Sequence, residues 1–263
     1  MKLIQVDNKA TAAQQLHHAE TLDGYLEACT ADPMNQLARR KKVYAPQTIS
    51  RQEGMHLDAV LQQALPRLPP RLRMDLHHVF IIPLMPSAEG GMPHTRPLHE
   101  PRDGIIAVSH LDHLASTSTL IHELWHLHQR AYPDLWRTMF STLGWTEWNG
   151  HLPAFLEANR RLNPDTIDAP LWIYDNTWVP VPVFRDISLP NLTEVDIWFY
   201  HVTEEYHLKQ VPRTMAAFFS GLPPSAYEHP RELTAYLLAE PRDDSPALRS
   251  MRTSMGQLSF PPS

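Results

Sequence analysis

One short segment of the chain combines residue types that can carry chemistry: residues 119–128 read TLIHELWHLH and contain the spacing HExxH. Residues four apart lie one above the other on a helix face, so His122 and His126 can offer imidazole nitrogens to one tetrahedral Zn²⁺. Glu123 lies about 100° around the helix from His122. It can therefore reach a metal-bound water without taking a ligand position, which is the general-base geometry of zinc hydrolases.

The residues around this segment predict a buried helix. Residues 116–119, STST, offer N-cap candidates, and Tyr132-Pro133 ends the helix about four turns later. Leucine, isoleucine and tryptophan side chains cover most of the helix circumference, as in a buried helix. Two histidines and a glutamate on such a helix need partners, because an unpaired buried polar group is costly. Metal binding is the interpretation that supplies one.

A catalytic zinc usually takes three protein ligands, and Glu232 is the predicted third ligand. Pro230 suits the first position of a helix, which places His229 at the N-cap and Glu232 in the first turn. Two other glutamates compete for this role: Glu147, in a stretch bounded by glycines, and Glu157, on a helix predicted over 152–161. The more distant alternatives are Asp196, Glu204 and Glu205.

Three parts of the sequence together resemble gluzincin-type zinc metallopeptidases. They are the HExxH box, the residues LGW at 143–145, and the residues FFS at 218–220 that lead to YEHPRELTA at 227–235. The similarity is greatest to the branch with an NPxExxA third-ligand helix, which includes anthrax lethal factor, and it covers mainly residues 104–145 and 215–240. Two positions depart from that pattern, because His229 replaces the usual Asn and Ser225 occupies the position of the branch's catalytic tyrosine.

The resemblance implies a zincin-like fold and a role for each matching residue. His122 and His126 would be zinc ligands, Glu123 the general base and Glu232 the third ligand. Amide hydrolysis also needs a hydrogen-bond donor for the developing oxyanion. Four candidates for that donor, in falling order of preference, are Tyr227, Tyr206, His207 and His201.

These residues leave three functional hypotheses. The first is a zinc-dependent metallopeptidase or amide hydrolase that acts on a peptide or small-molecule substrate. The alternative is an Fe(II)-dependent oxygenase, because two histidines and one carboxylate also suit Fe²⁺, and His110-x-Asp112 matches two ligands of such a site. The third is a non-enzymatic binding protein on the same scaffold, which would not need Glu123.

The predicted fold class is α+β and zincin-like, with a helical N-terminal lobe at residues 1–75 and a catalytic region at 76–263. Helical patterns cover residues 11–30 and 55–66, and strands are predicted at 78–85 and 104–109. In zincins a strand at the latter place forms the edge of the cleft, to which an extended peptide adds by backbone hydrogen bonds. Residues 170–192 form a long insertion whose alternating prolines predict an edge strand or loop. Its candidate pocket residues are Trp172, Tyr174 and Trp178.

The amino-acid composition limits the classes of binding partner and the cellular compartment that we expect for this chain. The net charge is −6, and the sequence has no long run of basic residues of the kind that binds nucleic acid. Both features argue against nucleic-acid binding. A single cysteine, Cys29, excludes an intramolecular disulfide and is compatible with a reducing compartment. The N-terminal residues lack the apolar run of a signal peptide, and no stretch predicts a membrane span. The expectation is a cytoplasmic protein with no membrane partner and an oligomeric state that the sequence does not define.

Overall fold

The chain is a mixed α+β protein whose residues fall into two compact units, dividing between Ala131 and Tyr132. The computed structural model describes residues 1–239 and 245–257. Each unit contains its own β-sheet. The predicted α+β class is thus confirmed, whereas the zincin-like fold and the boundary between residues 75 and 76 stay predictions.

The first unit contains four strands and six α-helices within its described residues. In chain order they are β1 (Lys2–Gln5), α1 (Lys9–Asp23), α2 (Tyr25–Ala31), α3 (Pro33–Arg39), α4 (Arg51–Ala64), α5 (Pro70–Asp75), β2 (His78–Pro83), β3 (His94–Pro97), β4 (Gly104–Val108) and α6 (Thr117–Ala131). The helix predicted over 11–30 is two helices, because Gly24 adopts a left-handed φ of 59° that ends α1 and begins α2. The helix predicted at 55–66 is α4, which begins at a capping box formed by Ser50 and Glu53.

The sheet of the first unit has the strand order β1-β2-β4-β3, with β3 antiparallel to β4 and the other pairs parallel. The strands predicted at 78–85 and 104–109 are confirmed as β2 and β4. The expectation that the second of them is a free edge is wrong, because β4 pairs with β2 on one side and with β3 on the other. All five residues of β4 are buried, as is usual for an interior strand of a sheet that is covered on both faces.

Strand β3 forms the edge of this sheet and is fastened to α1 through Arg96. The Arg96 guanidinium is fully buried and donates hydrogen bonds to the carboxylates of Asp23 and Glu20 on α1, at 2.7 Å each. A planar guanidinium suits this arrangement because its N–H groups form a fork that matches carboxylates. The pairing compensates the buried charge of Arg96 and fixes α1 against the edge strand.

Helix α6 carries the HExxH segment and packs against β3 and β4. It begins at Thr117, where the backbone N–H of Thr119 lies 3.5 Å from Ser116 Oγ, and it ends at Ala131, before Pro133. The helix comes very close to the sheet at Gly104, where an added Cβ would lie 3.1 Å from Leu127 Cδ1 and nearer still to Cδ2. Glycine at the start of β4 therefore sets how closely α6 packs on the sheet.

The second unit contains five strands and five α-helices within its described residues. In chain order they are α7 (Pro133–Thr142), β5 (Trp145–Trp148), α8 (Ala154–Ala158), β6 (Leu171–Tyr174), β7 (Trp178–Phe184), β8 (Val195–His201), β9 (Tyr206–Leu208), α9 (Arg213–Phe218), α10 (Pro230–Ala239) and α11 (Pro246–Gln257). The predicted helix beginning at Pro230 is confirmed as α10. No helix in the described part of the chain has the length and apolar character needed to cross a membrane.

The sheet of the second unit is antiparallel, with the strand order β5-β6-β7-β8-β9. The prediction that residues 170–192 form an edge strand or loop is wrong, because β7 is the central strand. Its prolines are tolerated since pairing with β6 is confined to Tyr174 and Trp178, before Pro180 and Pro182 are reached. On that side the Pro182 carbonyl accepts a hydrogen bond from the backbone N–H of Arg161 at 2.8 Å. Pro180 and Pro182 have no backbone N–H, and on the side of β7 that faces β6 no strand pairing requires one from them.

Candidate metal centre

The two histidines of the HExxH segment face each other on α6. Their Nε2 atoms lie 3.0 Å apart, and their rings meet edge to face with centroids separated by 4.6 Å. His126 is fully buried and His122 is half-buried. The i, i+4 spacing on a helix produces this convergence, as the sequence predicts. Two Nε2 atoms directed at one point are the arrangement by which such a pair binds one metal ion.

Gln129, which the sequence analysis did not single out, fixes the orientation of His126. Its side-chain Oε1 lies 3.0 Å from His126 Nδ1 and can only accept a hydrogen bond, so Nδ1 carries the proton. Nε2 of His126 is then the unprotonated nitrogen, as a metal ligand must be. Gln129 stands three residues after His126 on the same helix and is itself buried. That spacing is the signal by which it could have been found.

Glu123, the predicted general base, is a buried carboxylate on the same helix. It directly follows His122 in the sequence, and the helical rotation separates its side chain from the row of His122 and His126. The carboxylate therefore belongs to a residue next to His122 in the chain that does not share the helix face of the two histidines. Its role as the general base stays a prediction.

Glu232 lies in the first turn of α10 and is held by a neighbouring amide. Asn163 Nδ2 donates to Glu232 Oε1 and to Glu228 Oε1, at 2.9 Å each. The Asn163 oxygen and nitrogen cannot exchange places without losing a hydrogen bond, because Oδ1 accepts one from the backbone N–H of Asp165 at 3.0 Å. Asn163 lies in a segment without helix or strand, 69 residues before Glu232. No local sequence pattern indicates this partnership.

The residue before α10, His229, forms part of the helix start. Its Nδ1 accepts the backbone N–H of Arg231 at 3.1 Å, while its Nε2 lies 3.3 Å from the Pro170 carbonyl. This neutral ring satisfies one backbone donor of the first turn. Burial, followed by the positive charge of Arg231, lowers the pKa of His229 to about 3. His229 therefore acts as a helix cap and remains uncharged at neutral pH.

The adjoining Glu228 is also buried, and burial raises the pKa of its carboxyl group. The Arg161 guanidinium, whose Nη2 lies 3.4 Å from Glu228 Oε2, opposes that rise, and the nearby Glu232 adds to it. The two glutamates share the Asn163 amide as a common donor. Residues 228–232 thus hold two carboxylates close together at the start of α10.

Within the residues that the structure describes, a single group of three histidine, cysteine or carboxylate side chains is suited to hold a metal ion. It consists of His122, His126 and Glu232, whose ligand atoms all lie within 4.8 Å of one another. Two imidazole nitrogens and one carboxylate oxygen match the donor set of catalytic zinc sites. The protonation of His126 that Gln129 imposes is consistent with this fit. The group contains the three predicted ligands.

The competing carboxylates have other partners. Glu147 lies on β5 and accepts a hydrogen bond from Arg137 Nε at 2.7 Å, and Glu157 on α8 pairs with Arg160 at 3.3 Å. Asp196 pairs with Arg185 at 3.0 Å, and Glu204 and Glu205 are exposed. None of these residues, nor the His110-x-Asp112 pair, belongs to the ligand group found in the described part of the chain.

The predicted oxyanion donors lie in two places. Tyr227 is buried in a 3₁₀ segment, its hydroxyl donates to the Phe219 carbonyl at 2.7 Å, and burial raises its pKa to about 12. Tyr206 and His207 lie on the exposed strand β9, where the Tyr206 ring stacks on His201 with centroids 5.0 Å apart. The structure thus does not bring all four candidates together, and the role of each as an oxyanion donor stays a prediction.

Comparison of this chain with protein-family models, with curated proteins and with solved structures finds no match. The gluzincin resemblance of the sequence motifs remains an expectation about family membership.

Proposed function

We propose that this chain is a zinc-dependent hydrolase of the gluzincin metallopeptidase type, which cleaves a peptide or amide bond. The observation that carries the proposal is the close grouping of His122, His126 and Glu232. Support also comes from Gln129, which leaves the Nε2 of His126 free of a proton.

Each residue of the group has a defined role in the proposal. His122, His126 and Glu232 would hold the zinc ion, and Asn163 fixes the carboxylate of Glu232. A zinc ion held there would supply Lewis acidity, which polarises a carbonyl and makes water a stronger acid. Glu123 accepts a proton from the attacking water and delivers it to the leaving nitrogen. Tyr227 and Tyr206 stay the predicted donors to the oxyanion.

A substitution of Glu123 tests the chemistry separately from metal binding. Glu123→Gln removes the base and keeps the size of the side chain, so we expect zinc content to be unchanged and peptide hydrolysis to fall about 10²–10⁴-fold. Glu27→Gln, which changes an exposed glutamate on α2, is the matched control and should retain full activity. The assay uses an unstructured protein substrate and mass spectrometry of the products.

Two results would contradict the proposal. One is cleavage by the Glu123→Gln variant at the wild-type rate, since the reaction would then not depend on this base. The other is a fully zinc-loaded wild-type protein that cleaves no bond in a broad peptide library. Iron as the resident metal, together with oxygen consumption, would instead favour the Fe(II)-dependent oxygenase, which uses the same class of ligands.

A further inference from the structure

The second unit contains a cavity of about 340 Å³ whose walls come entirely from that unit. Arg160 and Arg161 form one part of the wall, and Glu228 and His229 form another. The cavity volume is at the small end of the range for ligand pockets, which suits a group of the size of one amino-acid residue. The residues on its wall include none of the proposed metal ligands.

The positive charges of this cavity are more accessible than its buried negative charge. The side chains of Arg160 and Arg161 are 28 % and 20 % exposed to solvent, whereas the side chain of Glu228 is 5 % exposed. Glu228 is already engaged by Asn163 and Arg161, and the remaining carboxylate, Glu157, is 55 % exposed and pairs with Arg160 at 3.3 Å. His229 contributes no charge at neutral pH. Each of the two neighbouring guanidinium groups thus has one carboxylate partner on the wall, at 3.3 Å and 3.4 Å, and belongs to a side chain that is still partly exposed.

The rest of the cavity is largely apolar. Ile167, Leu171, Pro180 and Pro182 contribute to its lining, and so does the buried ring of Trp172. The walls therefore suit a ligand with a short apolar stem.

We propose that this cavity binds a carboxylate carried on a short apolar stem, held by Arg160 and Arg161. A glutamate side chain or the carboxyl-terminal residue of a peptide has this chemistry, and a guanidinium fork matches a carboxylate with two parallel hydrogen bonds. Asn163 lines the cavity and also donates to Glu232, so the cavity adjoins a proposed metal ligand. As a subsite for a peptide substrate the assignment rests on the proposed function, whereas carboxylate binding itself does not.

Binding to metal-free protein tests this inference without any hydrolysis. Three probes separate the sources of the carboxylate: N-acetylglutamate α-amide carries it on the side chain, N-acetylglutamine carries it at the terminus, and N-acetylglutamine amide has none. The readout is the NMR signal of the Trp172 indole N–H, assigned with the Trp172→Phe variant. We expect a saturable shift with at least one of the two carboxylate probes and no shift with the uncharged probe.

Removal of the charges gives the matched comparison. Arg160→Gln and Arg161→Gln should each weaken carboxylate binding about tenfold or more, because each removes charge-assisted hydrogen bonds. The control is Arg185→Gln, which removes an arginine of the same unit that pairs with Asp196 outside the cavity and should leave binding unchanged. Thermal unfolding of each variant verifies that the fold is retained.

Three results would overturn the inference. They are no Trp172 shift with any probe at tens of millimolar, equal affinity for the uncharged probe, and equal weakening in Arg185→Gln. Because the protein is metal-free, each of these outcomes concerns the cavity alone. Failure of the zinc hydrolase proposal would appear separately, in metal content and cleavage.

Discussion

At the scale of single residues, the protonation of His126 depends on Gln129. The Gln129 amide oxygen accepts a hydrogen bond from Nδ1–H of His126, and the unprotonated Nε2 is the nitrogen that faces His122. Such partners of ligand histidines set both the ring orientation and the tautomer. The stability of a bound metal should therefore depend on a residue that does not touch it.

Replacement of Gln129 by Leu should weaken zinc binding about 10–100-fold, because the acceptor for the Nδ1 proton is lost. Gln129→Glu keeps an acceptor at the same position and should retain most of the affinity. Competition with a chromophoric chelator measures both variants against the wild type. Unchanged affinity in Gln129→Leu would show that Gln129 does not orient the ligand.

The pH dependence of stability provides a second residue-scale prediction, through His229. Its pKa is about 3 in the folded chain against the ordinary value of 6.5, so between these values the unfolded chain binds a proton that the folded chain does not. Stability is therefore complete above pH 6.5 and falls as pH drops, by up to about 1.4 kcal/mol per pH unit from this group.

His229→Asn should flatten that fall, since asparagine can cap the helix without titrating. The free energy of unfolding of metal-free protein, measured in denaturant from pH 4.5 to 7.5, compares this variant with the wild type. His56→Asn, an exposed histidine on α4, is the control and should follow the wild-type curve. Parallel curves for wild type and His229→Asn would contradict the assignment of a buried neutral imidazole.

The residues of the candidate centre on α6 could be predicted from the sequence, whereas the side chains that orient the ligands, Gln129 and Asn163, were not predicted. His122, Glu123 and His126 are predictable because helix periodicity alone determines how they converge. Gln129 was within reach of the same reasoning, since it stands one turn further along α6. Asn163 was not, because its bond to Glu232 joins residues far apart in the chain and depends on the path of a loop. Local spacing carries no information about such a path.

At the scale of elements, the contact of α6 with β4 at Gly104 determines how closely the histidine-bearing helix packs on its sheet. Gly104→Ala would place a Cβ against the Leu127 side chain. Overpacking of this kind costs about 1–3 kcal/mol, so we expect a loss of stability in that range. Urea unfolding of the variant measures it.

A double-mutant cycle makes this prediction specific. Leu127→Ala alone should cost about 2–5 kcal/mol through the cavity it leaves. In the double variant the Gly104→Ala methyl group occupies part of that space, so the combined cost should be smaller than the sum of the single costs. Additive costs would show that the two residues do not restrict one another.

The elements also show which sequence signals are reliable. Strands β2 and β4, helix α6 and the start of α10 follow from apolar runs and from caps or prolines at their ends. The central position of β7 could not be predicted, because prolines argue against a central strand unless its neighbour pairs only at one end. The break at Gly24 is a similar case, since a glycine within a helical pattern is often tolerated.

At the scale of the whole molecule, the proposed ligands are far apart in the sequence. All five strands of the second sheet, β5 to β9, lie between His126 and Glu232 in the chain. The sequence analysis interprets residues 170–192 as an insertion, whereas they contain β6 and β7 of the five-stranded sheet. Only the motif at residues 227–235 pointed to the third ligand, and no motif predicted the sheet order.

The central claim is that His122, His126 and Glu232 bind one zinc ion, and metal content tests it most directly. Mass spectrometry of protein purified without added metal should give about one zinc per chain. Glu232→Ala should lose most of that zinc, whereas Glu147→Ala, which changes a glutamate paired with Arg137, should retain it. Full zinc occupancy in Glu232→Ala, or a wild-type protein that binds no zinc, would contradict the account.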